Sequence, residues 1–443
     1  MTEMAPTLTS AVVPDPDRTR KRTRAAAPGK TRGRTPDRTL GQTLGHVVVV
    51  NIFFAPYSYG GATVVAEQVA QALQRNHATR VTAISVVNRP DIFPYSVMKV
   101  ERDGIQNYLI NLPHGRDYAE HYSNPRVTEI VSGLLDSLQP DLLHAHCIQE
   151  IGAGILSMAK RRGLPVVLSV HDFWWICERQ FMIRPSQRYC AQDPVKIENC
   201  AGCVDNLPRA RLRLEALRAE AAQVDLMTFP SAFARDLTAR SGITAARQEI
   251  WENGVPLPGD GFFAAQAARR ARDKRLVFGF VGGPSQIKGW PLIKSAFEAI
   301  GRDDFAGYLV DGSMDGSWWG GEDISRMKGD WQIYPRFKQD EMDAFYAEID
   351  VLLFLSQWKE TFGLSIREAM GRGIRVIQTD SGGTTEFDGA DRSEMLQIGD
   401  GPKKLQRKLE KLLAAPYQPP QPRAVTSYAD QARRFVELVT PLL

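Results

Sequence analysis

A strand–loop–helix–strand unit between residues 350 and 379 constrains the fold of this chain more than any other segment. The apolar run 350–356 (DVLLFLS) has strand length, 364–372 (LSIREAMGR) is short and helix-forming, and 374–379 (IRVIQT) is a second buried strand. Gly373 follows the helix where helices often end in glycine. Two buried strands joined by a helix predict a parallel sheet and an α/β fold.

Carboxylates lie in or beside the two loops that follow these strands, at the edge where parallel sheets bind ligands. Glu360 lies in the loop 357–363, and Glu368 lies one turn into the helix. Carboxylates accept hydrogen bonds from hydroxyl groups, so both side chains suit a sugar or a ribose. The free N–H groups after Gly363 suit an anion such as a diphosphate. The alternative is a solvated loop charge and an acid that the helix dipole favours.

The spacing of acids and glycines resembles the Glu-x7-Glu signature of family 4 retaining glycosyltransferases, which have the GT-B fold. The matching residues are Glu360, Phe362, Gly363, Leu364, Glu368, Ala369, Gly373, Gly382, Gly383 and Glu386. The resemblance implies two Rossmann-like domains whose parallel sheets face a central cleft, and a C-terminal helix that crosses back. It implies that Glu360 holds hydroxyls of the donor sugar, that Glu368 holds the ribose, and that the amides around Gly363 meet the diphosphate. The donor-binding residues predicted here are Glu360, Thr361, Phe362, Gly363, Leu364 and Glu368.

A glycine pair lies near the start of the chain's first α/β segment. Gly60 and Gly61 separate a predicted strand at 46–54 from a helix that starts near Ala62. Missing side chains let a ligand approach the backbone closely. The pair resembles the family's first glycine loop, which faces the donor phosphates and the acceptor, so both residues are predicted to bind the donor. A simple turn is the alternative.

A histidine ends the predicted strand 165–175 (PVVLSVHDFWW). The family places a histidine here beside the transferred sugar, so His171 is predicted to be catalytic, although a structural role is the alternative. Asp172 either orients His171 or caps the next segment. Trp174 and Trp175 either stack on an acceptor sugar or belong to the core.

A lysine follows the strand and glycine loop of 275–283. Lys288 resembles the family lysine that neutralises the donor diphosphate, where a positive charge stabilises the leaving nucleotide. Many members carry an arginine five residues earlier, and this chain has Gly283 there. Arg336 is a candidate to supply the missing charge to the donor. The predicted catalytic residues are His171, Lys288 and Glu360.

Four of the five cysteines cluster within the segment 176–206 with the spacing C-x12-C-x9-C-x2-C. They are Cys177, Cys190, Cys200 and Cys203. Four thiolates can close a tetrahedral structural zinc site, which would pin the segment that follows His171. Unrelated buried thiols or a redox pair are the alternatives. The resemblance implies no cofactor for catalysis.

The length predicts two domains. The resemblance implies that they are an acceptor domain at 45–258 and a nucleotide-sugar domain at 272–420, with the crossing helix at 424–443. Residues 1–44 contain nine basic and four acidic residues and few large apolar ones, which predicts a disordered tail. This tail either contacts anionic lipid or is a solvated arm. No apolar signal core or spanning segment is found, so we expect a cytoplasmic protein, peripheral to the inner face of a membrane.

The predicted activity is transfer of a sugar from a UDP- or GDP-linked donor to a glycan or lipid-linked glycan. In the family's mechanism, the acceptor hydroxyl attacks on the face that the nucleotide leaves, and the donor phosphate takes the proton. A phosphorylase and a non-catalytic sugar-binding relative are the rival hypotheses. No nucleic-acid partner is expected, because the sequence has no matching fold motif.

Overall fold

The computed structural model describes residues 44–313 and 315–443. The predicted tail therefore lies outside the described residues except for Leu44, whose side chain is buried. Within the described parts, no helix has both the length and the apolar character that crossing a bilayer requires.

The first domain contains an eight-stranded sheet with the order β3-β4-β2-β1-β5-β6-β7-β8. Its strands are β1 (His46–Val50), β2 (Arg80–Val87), β3 (Val97–Arg102), β4 (Ile105–Asn111), β5 (Leu142–Ala145), β6 (Val166–Ser169), β7 (Leu226–Phe229) and β8 (Gln248–Ile250). Every pair is parallel except β3 with β4, which form an antiparallel hairpin at the edge. The Asp103-Gly104 turn explains this exception to the predicted parallel sheet, because Asp-Gly favours tight hairpins.

Helices cover both faces of this sheet. They are α1 (Gly61–His77), α2 (Pro125–Leu138), α3 (Gly154–Arg161), α4 (Leu207–Ala221) and α5 (Ala232–Arg240), with short 3-10 turns at Tyr118–His121 and Ile197–Cys200. β1 is buried at all five positions, as expected for a central strand covered on both sides. Two apolar cores result, one on each face of the sheet.

The second domain contains a five-stranded, all-parallel sheet with the order β11-β10-β9-β12-β13. Its elements are α6 (Phe262–Arg272), β9 (Leu276–Phe280), α7 (Trp290–Ala299), β10 (Phe305–Val310), β11 (Asp330–Tyr334), α8 (Met342–Glu348), β12 (Val351–Phe354), α9 (Leu364–Gly371), β13 (Arg375–Gln378) and α10 (Pro402–Ala414). Short 3-10 turns lie at Gln339–Glu341, Gly383–Thr385 and Arg392–Glu394. A buried ion pair of 2.7 Å between Arg269 and Asp350 fastens α6 to the start of β12.

The last helix, α11 (Tyr428–Val439), packs on the first domain, with a 3-10 turn at Thr440–Leu442 after it. Phe435 and Leu438 are buried against α1 and β1, and the Trp251 indole donates a 2.9 Å hydrogen bond to the Gln431 carbonyl. The predicted GT-B arrangement, with its crossing helix, is confirmed. The predicted domain boundaries near 258, 272 and 420 stay predictions.

Candidate active site

Two predicted residues meet at the carboxyl edge of the second sheet. Lys288 follows β9 and Glu360 follows β12, which is the neighbouring strand. The Lys288 ammonium donates a 2.7 Å hydrogen bond to Glu360 Oε1, and the Ser356 hydroxyl donates to the same oxygen at 2.6 Å. The lysine also lies 5.5 Å from the centre of the Trp358 ring. The edge thus presents a partly exposed cation beside a carboxylate that two donors orient.

The loop that carries Glu360 leads directly into α9, which begins at Leu364 as the sequence predicts. The amide of Glu360 donates to Ser381 O, and the amide of Gly383 donates to Glu360 O, so the loops after β12 and β13 hold each other. Lys288 and Ser365, which lies in the first turn of α9, line the same small cavity. Such a helix start suits an anionic group.

Glu368 lies deeper than Glu360. The residue is 7% exposed, and its carboxylate accepts a 3.0 Å hydrogen bond from the Tyr346 hydroxyl. Burial raises the pKa of the Glu368 carboxyl, and the nearby Arg372 opposes that shift. As the fifth residue of α9, Glu368 is not in the first turn, which removes the helix-dipole alternative. Its predicted contact with a ribose stays a prediction.

Thr361 and Phe362, two predicted donor-binding residues, face protein rather than open solvent. The Thr361 hydroxyl donates a 2.6 Å hydrogen bond to the backbone oxygen of His171, and the Ser231 hydroxyl donates to Thr361 O at 2.7 Å. Phe362 is 4% exposed, and its ring lies 4.6 Å from the Arg367 guanidinium. Their positions favour support of the loop over direct contact with a ligand.

The first glycine loop lies against the start of α9. A side chain at Gly61 would come within 3.0 Å of Leu364 Cδ1, whereas a side chain at Gly60 would meet no atom within 4 Å. The structure therefore brings Gly61 of the first domain to Leu364 of the second, and Thr361 to His171. Residues predicted from four distant segments converge on one cleft.

A further contact between the domains, made by Glu386, was not predicted from the sequence. The Glu386 carboxylate accepts hydrogen bonds of 2.7 Å from the amides of both Ala232 and Phe233, in the first turn of α5. A helix N-terminus favours a negative charge. The GGTTE sequence drew attention to Glu386, but its partners lie more than 150 residues earlier and leave no local signal.

His171 has a partner that sequence reasoning also missed. Its Nε2 lies 2.8 Å from Nδ1 of His146, which follows β5. Asp172 does not bond to His171, since its Oδ1 accepts a 2.8 Å hydrogen bond from the Trp174 amide and its Oδ2 accepts from two glutamine side chains. Asp172 therefore caps the next segment. Trp174 and Trp175 are buried, which favours the core alternative for both.

Gly283 stands where many relatives have arginine, and its surroundings explain the glycine. The residue has a φ of 67°, and an added Cβ would lie 2.7 Å from the Trp318 ring. A side chain is therefore disfavoured by both backbone and space. Arg336 is exposed in the loop after β11, two strands away from β9, and its predicted contact with the donor stays a prediction.

The four clustered cysteines are free thiols in the segment between β6 and α4. Burial raises the pKa of the Cys177 thiol to about 11, and it also raises the pKa of Cys200 and Cys203. Across residues 44–313 and 315–443, no three His, Cys, Asp or Glu side chains are grouped as metal ligands. The four thiols are nevertheless close enough to influence one another's pKa, and the zinc site stays a prediction that rests on their spacing.

Comparisons with known proteins agree with this arrangement. Residues 59–258 match the family described as Glycosyltransferase Family 4, and residues 265–432 match the family described as Glycosyl transferases group 1. The sulfoquinovosyl transferase SQD2 of Arabidopsis thaliana is 27% identical over 271 residues, which are 56% of this chain and 44% of that protein. This chain therefore spans less than half the length of that relative.

Two solved structures are similar over most of the chain. The sucrose-phosphate synthase from Thermosynechococcus elongatus has a TM-score of 0.59 at 14% identity. The match covers 90% of this chain and 96% of the synthase chain. Anabaena HepE, solved in complex with UDP and glucose, has a TM-score of 0.57 at 13% identity. The match covers 90% of this chain and 97% of the HepE chain. At such identities the likeness shows the fold alone.

Proposed function

We propose that this chain, most of which is matched by the two glycosyltransferase family models together, is a retaining, metal-independent hexosyltransferase of family 4 with the GT-B fold. It transfers a sugar from a nucleotide-diphosphate sugar to a glycan or lipid-linked glycan in polysaccharide or glycoconjugate synthesis. The observation that carries the proposal is the Lys288–Glu360 pair at 2.7 Å. A diphosphate needs a cation beside it, and a sugar needs a carboxylate for its hydroxyls.

The proposed division of labour follows from the charges. Lys288 and the first amides of α9 stabilise the diphosphate as the sugar bond breaks, and Glu360 orients the sugar. Catalysis then depends on positioning and on leaving-group charge, so no second carboxylate is needed as a base. His171 contacts the sugar in this scheme, and Gly60 and Gly61 leave room for the phosphates. A UDP-linked donor is proposed first, because HepE was solved with UDP.

A two-step experiment tests this function. A thermal-shift screen with UDP, GDP, UDP-glucose and GDP-mannose identifies the nucleotide, because a ligand that binds the folded state raises its stability. Turnover of the stabilising donor is then measured with excess EDTA, and the anomeric configuration of the product is read by NMR. Transfer with retained configuration supports the proposal. Binding without any transfer or donor hydrolysis favours the alternative, a non-catalytic sugar- or nucleotide-binding protein.

The same proposal includes a location. We place the enzyme in the cytoplasm at the inner face of a membrane, with the basic residues of 1–44 contacting anionic lipid. Each basic residue near such a surface contributes about 1 kcal/mol. Flotation with phosphatidylglycerol vesicles, compared with phosphatidylcholine vesicles and with a variant lacking residues 1–43, tests the contact. Equal flotation of both proteins would contradict it.

A further inference from the structure

The hydrogen bond between His146 and His171 lies in the plane of both imidazoles. The nitrogens are 2.8 Å apart, the ring planes differ by 10°, and the ring centres are 5.1 Å apart. When two imidazole nitrogens are 2.8 Å apart, the ring centres are farthest apart if both nitrogens lie on the line between them, and 5.1 Å is close to that largest separation. The two nitrogens therefore point at each other. β5 and β6 are neighbours, so the rings meet at the carboxyl edge of the first sheet.

The His146 ring is held from behind by a column of side chains. It is 2% exposed, and its centre lies 4.0 Å from that of His144. The His144 ring stacks on Phe435 of α11 at 4.5 Å, and its Nε2 lies 2.8 Å from the Ser169 hydroxyl. Rotation of His146 would displace these groups, so its Nδ1 has a fixed direction.

The protonation of these rings restricts the bond further. Burial lowers the pKa of His171 to about 4 and that of His144 to about 3, and it lowers the pKa of His146 as well. At neutral pH each ring therefore carries a single N–H. Only one proton can lie between His146 Nδ1 and His171 Nε2. If His146 donates it, Nδ1 of His171 is an N–H donor, and if His171 donates it, its Nδ1 is an acceptor.

We propose that His146 is a positioning residue for His171: the in-plane bond holds the His171 ring in one orientation and one tautomer, so that its Nδ1 meets the substrate with one fixed polarity. The backbone of His171 is fixed separately by the hydroxyl of Thr361. Contact of Nδ1 with a donor-sugar hydroxyl rests on the proposed function, whereas the coupling of the two rings does not. A fixed donor or acceptor discriminates between hydroxyl arrangements, because a mismatch leaves a polar group unpaired.

Two matched variants test the coupling. His146→Asn keeps a polar atom near the position of Nδ1, whereas His146→Gln moves it toward the position of Nε2. The ring nitrogens of ¹⁵N-histidine-labelled protein are observed by NMR, and His171→Gln assigns the His171 signals. We expect one tautomer for His171 in the wild type and in His146→Asn, and averaged tautomers in His146→Gln. A His171 spectrum unchanged in His146→Gln overturns the proposal.

Kinetics give a second readout that a merely structural role would not produce. With UDP-glucose, or the donor found by screening, we expect His146→Gln to lower kcat by about 10- to 100-fold. The affinity for UDP should stay within about twofold, because UDP lacks the sugar, and His146→Asn should recover part of kcat. His77→Asn, on the last turn of α1, serves as the control.

If the wild type turns over no nucleotide sugar, the proposed function fails while the NMR result still decides the coupling. Equal loss of UDP affinity and kcat in both variants would overturn the positioning role.

Discussion

The Lys288 ammonium lies 2.7 Å from the Glu360 carboxylate, which is therefore its partner in the structure. Under the proposed function, Glu360 has two opposite effects on a nucleotide sugar. It competes with the phosphates for the cation, and it offers hydrogen-bond acceptors to the sugar. Variants of the two residues should separate these effects.

We expect Lys288→Ala to weaken the binding of UDP and to abolish most transfer. Glu360→Gln should bind UDP as well as or better than the wild type, because the competing charge is gone, yet bind and transfer the sugar nucleotide poorly. Isothermal titration with UDP and with the sugar nucleotide measures both. Lys294→Ala, which breaks a comparable 3.1 Å pair between Lys294 on α7 and Glu322, is the matched control. Weaker UDP binding by Glu360→Gln would contradict the competition.

Restoring the family's arginine at Gly283 should harm the protein. A side chain at φ 67° costs about 1–2 kcal/mol, and contact with Trp318 adds to that. We expect a lower Tm for Gly283→Arg than for Gly283→Ala, with no gain in UDP affinity. Combining Gly283→Arg with Trp318→Ala should recover the part of the loss caused by the ring. Tighter UDP binding by Gly283→Arg alone would show that the position does accept a phosphate-binding side chain.

Replacing Glu386 should loosen the contact between the domains. Its carboxylate satisfies two amides at the start of α5, and loss of such a cap costs about 1 kcal/mol. We expect Glu386→Ala to increase hydrogen exchange at Ala232 and Phe233 and to lower kcat, with the fold retained. Glu410→Ala, on the second domain's α10, is the control. Unchanged exchange at these amides would rule out the contact in solution.

The buried Glu368 makes the stability of the protein depend on pH. Its pKa is raised above the ordinary value of 4.5, so the folded state binds a proton more tightly than the unfolded state. The resulting stability is present below about pH 4.5 and is lost as the pH rises through the folded pKa. Glu368→Gln keeps an acceptor for the Tyr346 hydroxyl but has no charge to bury. Its Tm, relative to the wild type, should therefore increase as the pH is raised from 4 to 7, and a difference independent of pH would contradict this.

Metal analysis decides the role of the four clustered cysteines. If the spacing of the four cysteines does mark a zinc site, purified protein holds about one zinc per chain. Cys200→Ser then loses both the metal and stability. If the free thiols of the described structure persist, a chelator leaves the Tm unchanged and Cys200→Ser behaves as the wild type. The metal content of the wild type distinguishes the two outcomes before any variant is made.

Much of the fold was predictable because each unit carries its own signals. The run 350–379 shows two buried strands, a short helix and a terminal glycine, and the helix does begin at Leu364. The β3–β4 hairpin was not predicted although Asp103-Gly104 is a hairpin signal, because parallel α/β units lead one to expect a helix, not a tight turn, between neighbouring strands. The supporting contacts of Glu386 and His146 were not predictable, since their partners come from other strands and helices. For His146, the sequence HAH directly after an apolar run could have suggested a second functional histidine.

The reason for the glycine at position 283 could not be predicted from the sequence. The residue has a φ of 67°, and an added Cβ would lie 2.7 Å from the Trp318 ring. Trp318 comes from a distant part of the chain, so the residues next to Gly283 carry no signal of this contact. The prediction that Arg336 supplies charge to the donor stays a prediction.

The packing of α11 on α1 has a consequence for biosynthesis. Phe435 and Leu438 complete an apolar core whose members outside α11 come from the first domain, between Leu44 and Trp251. Residues 428–439 are translated after the whole second sheet. During translation the second sheet can therefore assemble while the first domain still exposes part of its core, which is the kind of surface that chaperones protect. The first domain is thus synthesised before the second, but its core is completed after the second sheet.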